Sequence, residues 1–257
     1  MHILLVNDDG YHADGIRCLA RVLTDNGHCV TVAAPDRERS AVSHAISITP
    51  PLRAREIRIG QVPGWAIDGT PADCARLGLY LLRHDKPDIC VSGINRGPNL
   101  GGACIYSGTV NSAMEASMAG CPAIASSLDS FTSSDYEQAA RLTLEMCAWA
   151  LAHPLRRGEI YNLNVPADTA AKGVYFTQVL APEFLTDANY QEFVSDYNTR
   201  YYFLDDGPNT QPYPENSDAV MCAKGWATVS VLTWDISARR SALPDEGELR
   251  LTARINK

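Results

Sequence analysis

Two adjacent carboxylates, Asp8 and Asp9, stand directly after an apolar run, His2–Val6, with one residue, Asn7, between them and it, and directly before Gly10. Neighbouring acids repel one another, and a hard divalent cation between them is the usual remedy. Within a strand their side chains would point to opposite faces. A glycine turn at its solvent-facing end can bring both to one side. A lone Asp-Asp-Gly is also ordinary turn chemistry, so the choice rests on what else reaches that edge.

Two further oxygen donors come from loops expected at the same edge: Ser40 in DRERSAVSH and Asn95 in GINRGPNLGGACIYSG. Asp8, Asp9, Ser40 and Asn95 would form a shell of charged and neutral oxygens suited to a divalent metal ion, Mg²⁺ or Mn²⁺, with positions left for water and phosphate. Asp8, Asp9 and Asn95 are accordingly the expected catalytic residues. The glycine-rich loop ends in Ser107-Gly108-Thr109 where a helix begins, and free N–H groups and the helix dipole favour an anion there. No Lys follows its glycines, so it is not a Walker A loop, and it does not match the GxGxxG dinucleotide pattern. His44 reads as a loop or surface histidine rather than a ligand. A rival chemistry lies in Cys90 and Arg96, which have the C-x₅-R spacing of cysteine phosphatases. Against it, Val91 and Ser92 prolong a strand past Cys90, whereas a thiolate nucleophile needs its loop and helix to begin at once.

The elements that must position these residues alternate. His2–Val6 is a buried strand. Asp14 is the expected N-cap of a helix with Ile16, Leu19, Ala20 and Leu23 at helical period, closed by Gly27. A second strand, residues 28–34, stops at Pro35, which completes a βαβ unit. Residues 45–68 read as a small hairpin excursion, and Thr70, Pro71 and Asp73 start a helix with a capping box. Strands are expected at 88–92, 123–127, 161–165 and 229–233, and helices at 109–119 and 136–151. The loop between the third strand and the next helix is expected to run from Gly93 to Gly108. This is an α/β pattern: a Rossmann-like, doubly wound, mostly parallel sheet with helices on both faces. Such sheets hold their ligands beyond the carboxyl ends of their strands, where Asp8, Asp9, Ser40 and Asn95 all fall. Residues 1–166 are expected to form the catalytic core. Residues 167–257, with strand-like pieces such as GVYFTQV and RYYFL, should supply an extended or β-hairpin oligomerisation arm and a last strand that completes the core.

The 257 residues suffice for a full core, and 46% hydrophobic with 20% charged residues is ordinary globular composition. A net charge of −8 argues against a nucleic-acid polymer as partner, while a metal could still draw a small anion into one pocket. No basic leader or membrane-length apolar run is seen, and the eight cysteines are scattered without a CxxC pair. A cytoplasmic location is therefore expected, with no membrane partner.

NDDG, PDRERS, DGTPADC, SGINRGPNLG and YSGTVNSAMEA occur in this order, and together they resemble the SurE family of survival-protein phosphatases. The resemblance implies a metal-dependent nucleoside monophosphate phosphatase, a 5′- and 3′-nucleotidase that can also trim short polyphosphate. It implies one divalent ion per subunit on Asp8, Asp9, Ser40 and Asn95, and phosphate binding by Asn99, Ser107, Gly108 and Thr109. It also implies a homodimer or homotetramer built through the C-terminal arm. The chain departs from the family pattern at two places, with Ala41 after the ligand serine and Asn111 after YSGTV, where glycine is usual. A non-enzymatic nucleotide-binding regulator would keep the fold and the glycine loop but has no need of paired carboxylates.

One comparison separates the two phosphatase chemistries. Cys90→Ser should lower stability by about 1 kcal/mol and leave most of the turnover, while EDTA silences the wild type and Mn²⁺ restores it. A chelator-resistant activity abolished by Cys90→Ser would reverse the assignment.

Overall fold

The apolar run after Met1 forms β1 (His2–Val6), in which Ile3, Leu4, Leu5 and Val6 have no solvent exposure. A strand buried on both faces must be covered twice. Ile3 and Leu5 join one core cluster with Ile16, Leu19 and Leu23 of α1 (Asp14–Asp25) and Ala140 and Met146 of α4 (Glu137–Ala152). Leu4 and Val6 join the other, with Cys74 and Ala75 of α2 (Pro71–Leu81) and Ala113 and Met114 of α3 (Gly108–Met118). Helices thus cover both faces of a mostly parallel sheet, as the alternation predicts. The computed structural model describes residues 1–167, 169–178, 180–181, 189–195, 197, 199–205 and 213–235. Part of the expected arm lies outside the described residues.

The remaining strands are β2 (Cys29–Pro35), β3 (Ala54–Ile59), β4 (Val62–Ile67), β5 (Ile89–Arg96), β6 (Ala123–Asp129), β7 (Glu159–Pro166), β8 (Val174–Phe176), β9 (Asn189–Val194), β10 (Arg200–Asp205) and β11 (Ala227–Thr233). A nine-stranded sheet has the order β3-β4-β2-β1-β5-β6-β7-β11-β8. Only β3–β4 and β7–β11 pair antiparallel in it. The hairpin excursion is thus the β3–β4 pair, added to one edge. β11 sits between β7 and β8, inside the main sheet. β9 and β10 form a separate antiparallel hairpin.

From β1 the chain goes to β2 on one side and later to β5 on the other. The strand order therefore reverses at β1/β5, and a crevice opens there beyond the carboxyl ends. β5 departs from expectation. It continues through Asn95 to Arg96 instead of ending at Ser92, with a register shift against β6 between Ser92 and Asn95. Gly93 permits this: at φ +137° a Cβ there would lie 2.3 Å from the Ser126 carbonyl oxygen. A further element with no sequence counterpart is α5 (Asp218–Ala223), a short helix capped by Ser217. Helix α1 begins at Asp14 with Ala13 as the N-cap, one residue from expectation.

Helix α2 has its expected capping box: the Thr70 hydroxyl accepts from the Asp73 N–H at 3.1 Å and Asp73 accepts from the Thr70 N–H at 2.9 Å. Asp73, itself buried, also takes the N–H and hydroxyl of Ser47, which fastens the loop after β2 to α2. Thr70→Ala should therefore cost about 1 kcal/mol, the usual value of a cap. Asp73→Ala should cost more, because cap and loop tie are lost together. Thermal melting of the two variants checks the order, and equal losses would mean that the Ser47 bonds contribute nothing.

Candidate functional site

At the end of β1 the chain turns on Gly10 (φ +94°), and the fully buried Asn7 braces the turn by donating to the Gly10 carbonyl at 2.9 Å. The two acids then face different neighbours. Asp8 points under the first turn of α3, where the Thr109 hydroxyl donates to its Oδ1. Asp9 accepts the Arg96 N–H at 3.1 Å, at the end of β5. Asp8 is not at a solvent-facing end: it is only 4% exposed, because α3 packs directly onto it. Gly108 makes that possible, since a Cβ there would come within 2.8 Å of the Asp8 Cβ and 2.9 Å of Pro71.

Burial sets the electrostatics. Desolvation, reinforced by the charge of Asp9, pushes the Asp8 carboxyl up to about 7, against the lowering effect of Thr109. Desolvation also raises Asp9, partly offset by the Arg96 N–H and guanidinium, while Glu38 raises it further. Two neighbouring carboxyls are thus held where being charged is costly.

The loop after β2 reaches the same place. The Arg39 N–H donates to the Asp8 carbonyl at 2.7 Å, which sets Ser40 beside the Asp pair in the chain's path. The Ser40 hydroxyl donates to Glu38 at 2.9 Å and so keeps its lone pairs. The Asn95 amide donates to the Gly97 carbonyl at 2.8 Å, which turns its Oδ1 away from that bond. The donor set fits a hard cation: two carboxyls without a cationic side-chain partner between them among the described residues, the Ser40 oxygen, whose proton goes to Glu38, and the Asn95 amide oxygen, whose N–H group is bonded elsewhere. Among the described residues no group of three His, Cys, Asp or Glu could hold a metal ion, so a cation at this edge would lean on neutral oxygens.

Ser107 is the N-cap of α3; its oxygen accepts from the Val110 N–H at 3.1 Å and its own proton remains to be donated. Thr109 differs from its neighbours in the loop, because it is wholly buried and its hydroxyl is committed to Asp8. Asn99 lies beneath the loop. Its N–H donates to Asn164 Oδ1 at 2.7 Å, its side chain to Ser127 at 2.8 Å, and its carbonyl accepts from Asn162 at 2.9 Å and Asn164 at 3.0 Å. Asp218 of α5 ties the loop to a distant segment by accepting from the N–H groups of Gly101 and Ala181. Beside the loop a groove of about 770 Å³ is walled by Ile105, Val110, Asn111 and Met114.

The rival thiolate chemistry, already disfavoured by the strand past Cys90, finds no support in this geometry. Cys90 has no exposure inside β5, and burial drives its thiol well above the ordinary value. Arg96 points elsewhere, 3.8 Å from Glu38.

Glu38, Asn162, Asn164 and Asp218 escape the sequence reading. The two asparagines do leave a signal: polar residues at alternate positions in an apolar strand share one face. Asp218 leaves none, as its helix is short and lies in an aperiodic stretch.

Against known proteins, the model of the family described as Survival protein SurE matches residues 3–184. Among curated proteins the chain is similar to a 5′-nucleotidase SurE of Synechococcus sp. (strain JA-3-3Ab), 40% identical over 244 residues that cover 93% of each chain. A 5′-nucleotidase SurE of Syntrophotalea carbinolica is 41% identical, with 94% of each chain covered. The crystal structure of a SurE protein from Aquifex aeolicus superposes with a TM-score of 0.78 at 32% identity, over 92% of this chain and 95% of that one.

The raised Asp8 carboxyl makes a signed prediction for metal-free protein. Below pH 3.8 the group is protonated folded and unfolded; as pH rises towards about 7 the unfolded chain ionises first, so stability falls through that window. Asp9 acts in the same direction. Asp8→Asn removes the Asp8 share and should melt higher than the wild type in EDTA at pH 8. A lower melting temperature would mean that Asp8 is not held at a cost.

Proposed function

Because the chain belongs to the SurE family, we propose that it is a 5′-nucleotidase, a divalent-metal-dependent phosphatase of nucleoside monophosphates. The observation that carries the metal reading is the adjacent Asp8 and Asp9 carboxyls at the end of β1, Asp8 buried and Asp9 half-buried, both raised by desolvation. Asp8 and Asp9 would hold the ion with Ser40 and Asn95. When bound, a cation there supplies charge neutralisation and Lewis-acid polarisation of the phosphoryl group and the attacking water.

The chain's own residues supply the rest. Asp8 is kept under α3 by Thr109, so it cannot swing away as charge moves. The first turn of α3 offers the Gly108 N–H and the Ser107 hydroxyl to the phosphoryl oxygens, and the helix dipole favours their growing charge. Thr109 serves by orienting Asp8. Asn99, cross-linked to β6 and β7, keeps the loop from collapsing into the crevice. Placement of the phosphoryl group contributes at most about 7–11 kcal/mol, so electrostatic stabilisation must carry much of the remaining barrier. The adjoining groove is in the size range of small-molecule sites and offers an apolar wall to a nucleoside.

The C-terminal arm fits a homodimer or homotetramer. An isolated hairpin is marginal in water, and β9–β10 exposes Tyr190, Phe193, Tyr201, Tyr202, Phe203 and Leu204. Such a surface is suited to burial against another copy. A cytoplasmic location agrees with eight free thiols. No helix among the described residues is long and apolar enough to cross a membrane.

Phosphate release from a panel of 5′- and 3′-nucleotides and short polyphosphate, with Mn²⁺, Mg²⁺ or EDTA, tests the reading. Activity should need the metal, and Asp9→Asn should fold yet lose it by orders of magnitude. Ser40→Ala and Asn95→Ala should lose less, as neutral ligands contribute less than charged ones. Near-normal turnover in folded Asp9→Asn would end the metal reading. Full activity in EDTA would do the same.

A further inference from the structure

The loop that carries Ser40 is held against its own backbone preference. Ala41 at φ 55° and Ser43 at φ 53° are the two non-glycine residues in the left-handed region among the described residues. L-residues with side chains seldom hold that conformation unless their surroundings impose it. Glycine at position 41 would adopt it freely. This chain therefore needs an external restraint just past Ser40.

Two restraints follow at once. Ser43 donates its N–H to the Tyr106 carbonyl at 3.0 Å and its hydroxyl to the Ile105 carbonyl at 2.7 Å, which joins the loop to the segment before Ser107. His44 then meets Glu115, its Nε2 standing 2.9 Å from Oε2. Glu115 lies on α3, is 4% exposed, and takes the Arg76 Nε–H of α2 at 2.6 Å on its other oxygen. The His44 bond chiefly, with Arg76, holds its carboxyl below the ordinary value despite burial. Glu115 is thus a charged anchor on the helix whose first turn packs on Asp8.

We propose that Glu115 and His44 are positioning residues for the metal site: their bond holds the strained Ala41–Ser43 turn in place and so presents Ser40 to the cation. The proposal rests on the metal reading above. Asp8 and Ser40 are then registered to one rigid body, since Thr109 and Glu115 both belong to α3. Arg76 pairs with the anchor, and among the described residues it makes no hydrogen bond or ion pair to the loop.

The test is Mn²⁺ titration of metal-free full-length protein by calorimetry, with thermal melting to confirm folding. His44→Ala should weaken Mn²⁺ binding about tenfold, the lower end of what outer-shell partners contribute. His44→Gln, which can still donate to Glu115, should bind as the wild type does. His44→Asn, polar but too short to reach, should behave as His44→Ala and serves if the alanine variant does not fold. Ala41→Gly added to His44→Ala should recover part of the affinity, because glycine takes this φ without strain while Ser43 keeps its own bonds to Ile105 and Tyr106. In a Ser40→Ala background His44→Ala should have no further effect, and Arg76→Ala alone should stay within about twofold of wild type. Wild-type affinity in both His44→Ala and His44→Asn, or an equal loss with and without Ser40, would overturn the proposal while leaving the metal reading intact. Failure of the wild type itself to bind Mn²⁺ would remove the metal reading, and the proposal with it.

Discussion

Helix α3 and β1 meet at contact distance, with the Asp8 carboxyl trapped between them. Burying one acid beside another costs free energy that only a countercharge or protonation relieves. The surrounding chain is arranged to sustain this: the Asn7 brace sets the turn, the Thr109 hydroxyl fixes the carboxyl, and the missing side chain at Gly108 lets the helix approach. A less close approach would let water in and turn Asp8 into an ordinary surface acid. The contact is thus both a packing feature and the electrostatic condition of the site.

The position of that contact follows from topology. The reversal of strand order between β1 and β5 opens a crevice there beyond the carboxyl ends of the strands. Three loops converge on it, after β1, β2 and β5, and each is tied to its neighbours through the backbone as much as through side chains. The Arg39 and Arg96 N–H groups, bonded to the Asp8 carbonyl and the Asp9 carboxylate, are two such ties. Main-chain donors carry no sequence signature, so convergence of this kind is stable to substitution of the residues that make it.

This also explains what could be read in advance. The buried run of β1, the Thr70–Asp73 capping box and the alternation of strand and helix are local patterns, and each appears where periodicity and capping chemistry put it. The edge shared by Asp8, Asp9, Ser40 and Asn95 was legible from the alternation alone, because strand ends in such folds fall on one side. The continuation of β5 through Gly93 was not, since glycine signals a break until a neighbouring carbonyl, that of Ser126, gives it a reason to stay in the sheet. Nor was the burial of Asp8, which depends on a helix entering from a hundred residues away in sequence. Asn162 and Asn164 were half legible: their alternation was visible, but the Asn99 carbonyl they serve was not.

The place of β11 has a consequence for how the molecule is made. It lies between β7 and β8, although residues 167–226, β8 among them, precede it in the chain. Among the described residues β8 pairs with β11 alone, so it leaves the ribosome ahead of the strand that it joins. The strands that build the crevice, β1 to β7, precede that moment and can assemble without β11. During that interval β7 presents an open edge, the kind of surface on which nascent chains pair wrongly. The sequence-distant strand that closes it runs antiparallel to β7, so late sheet assembly adds an antiparallel strand to the parallel run from β4 to β7.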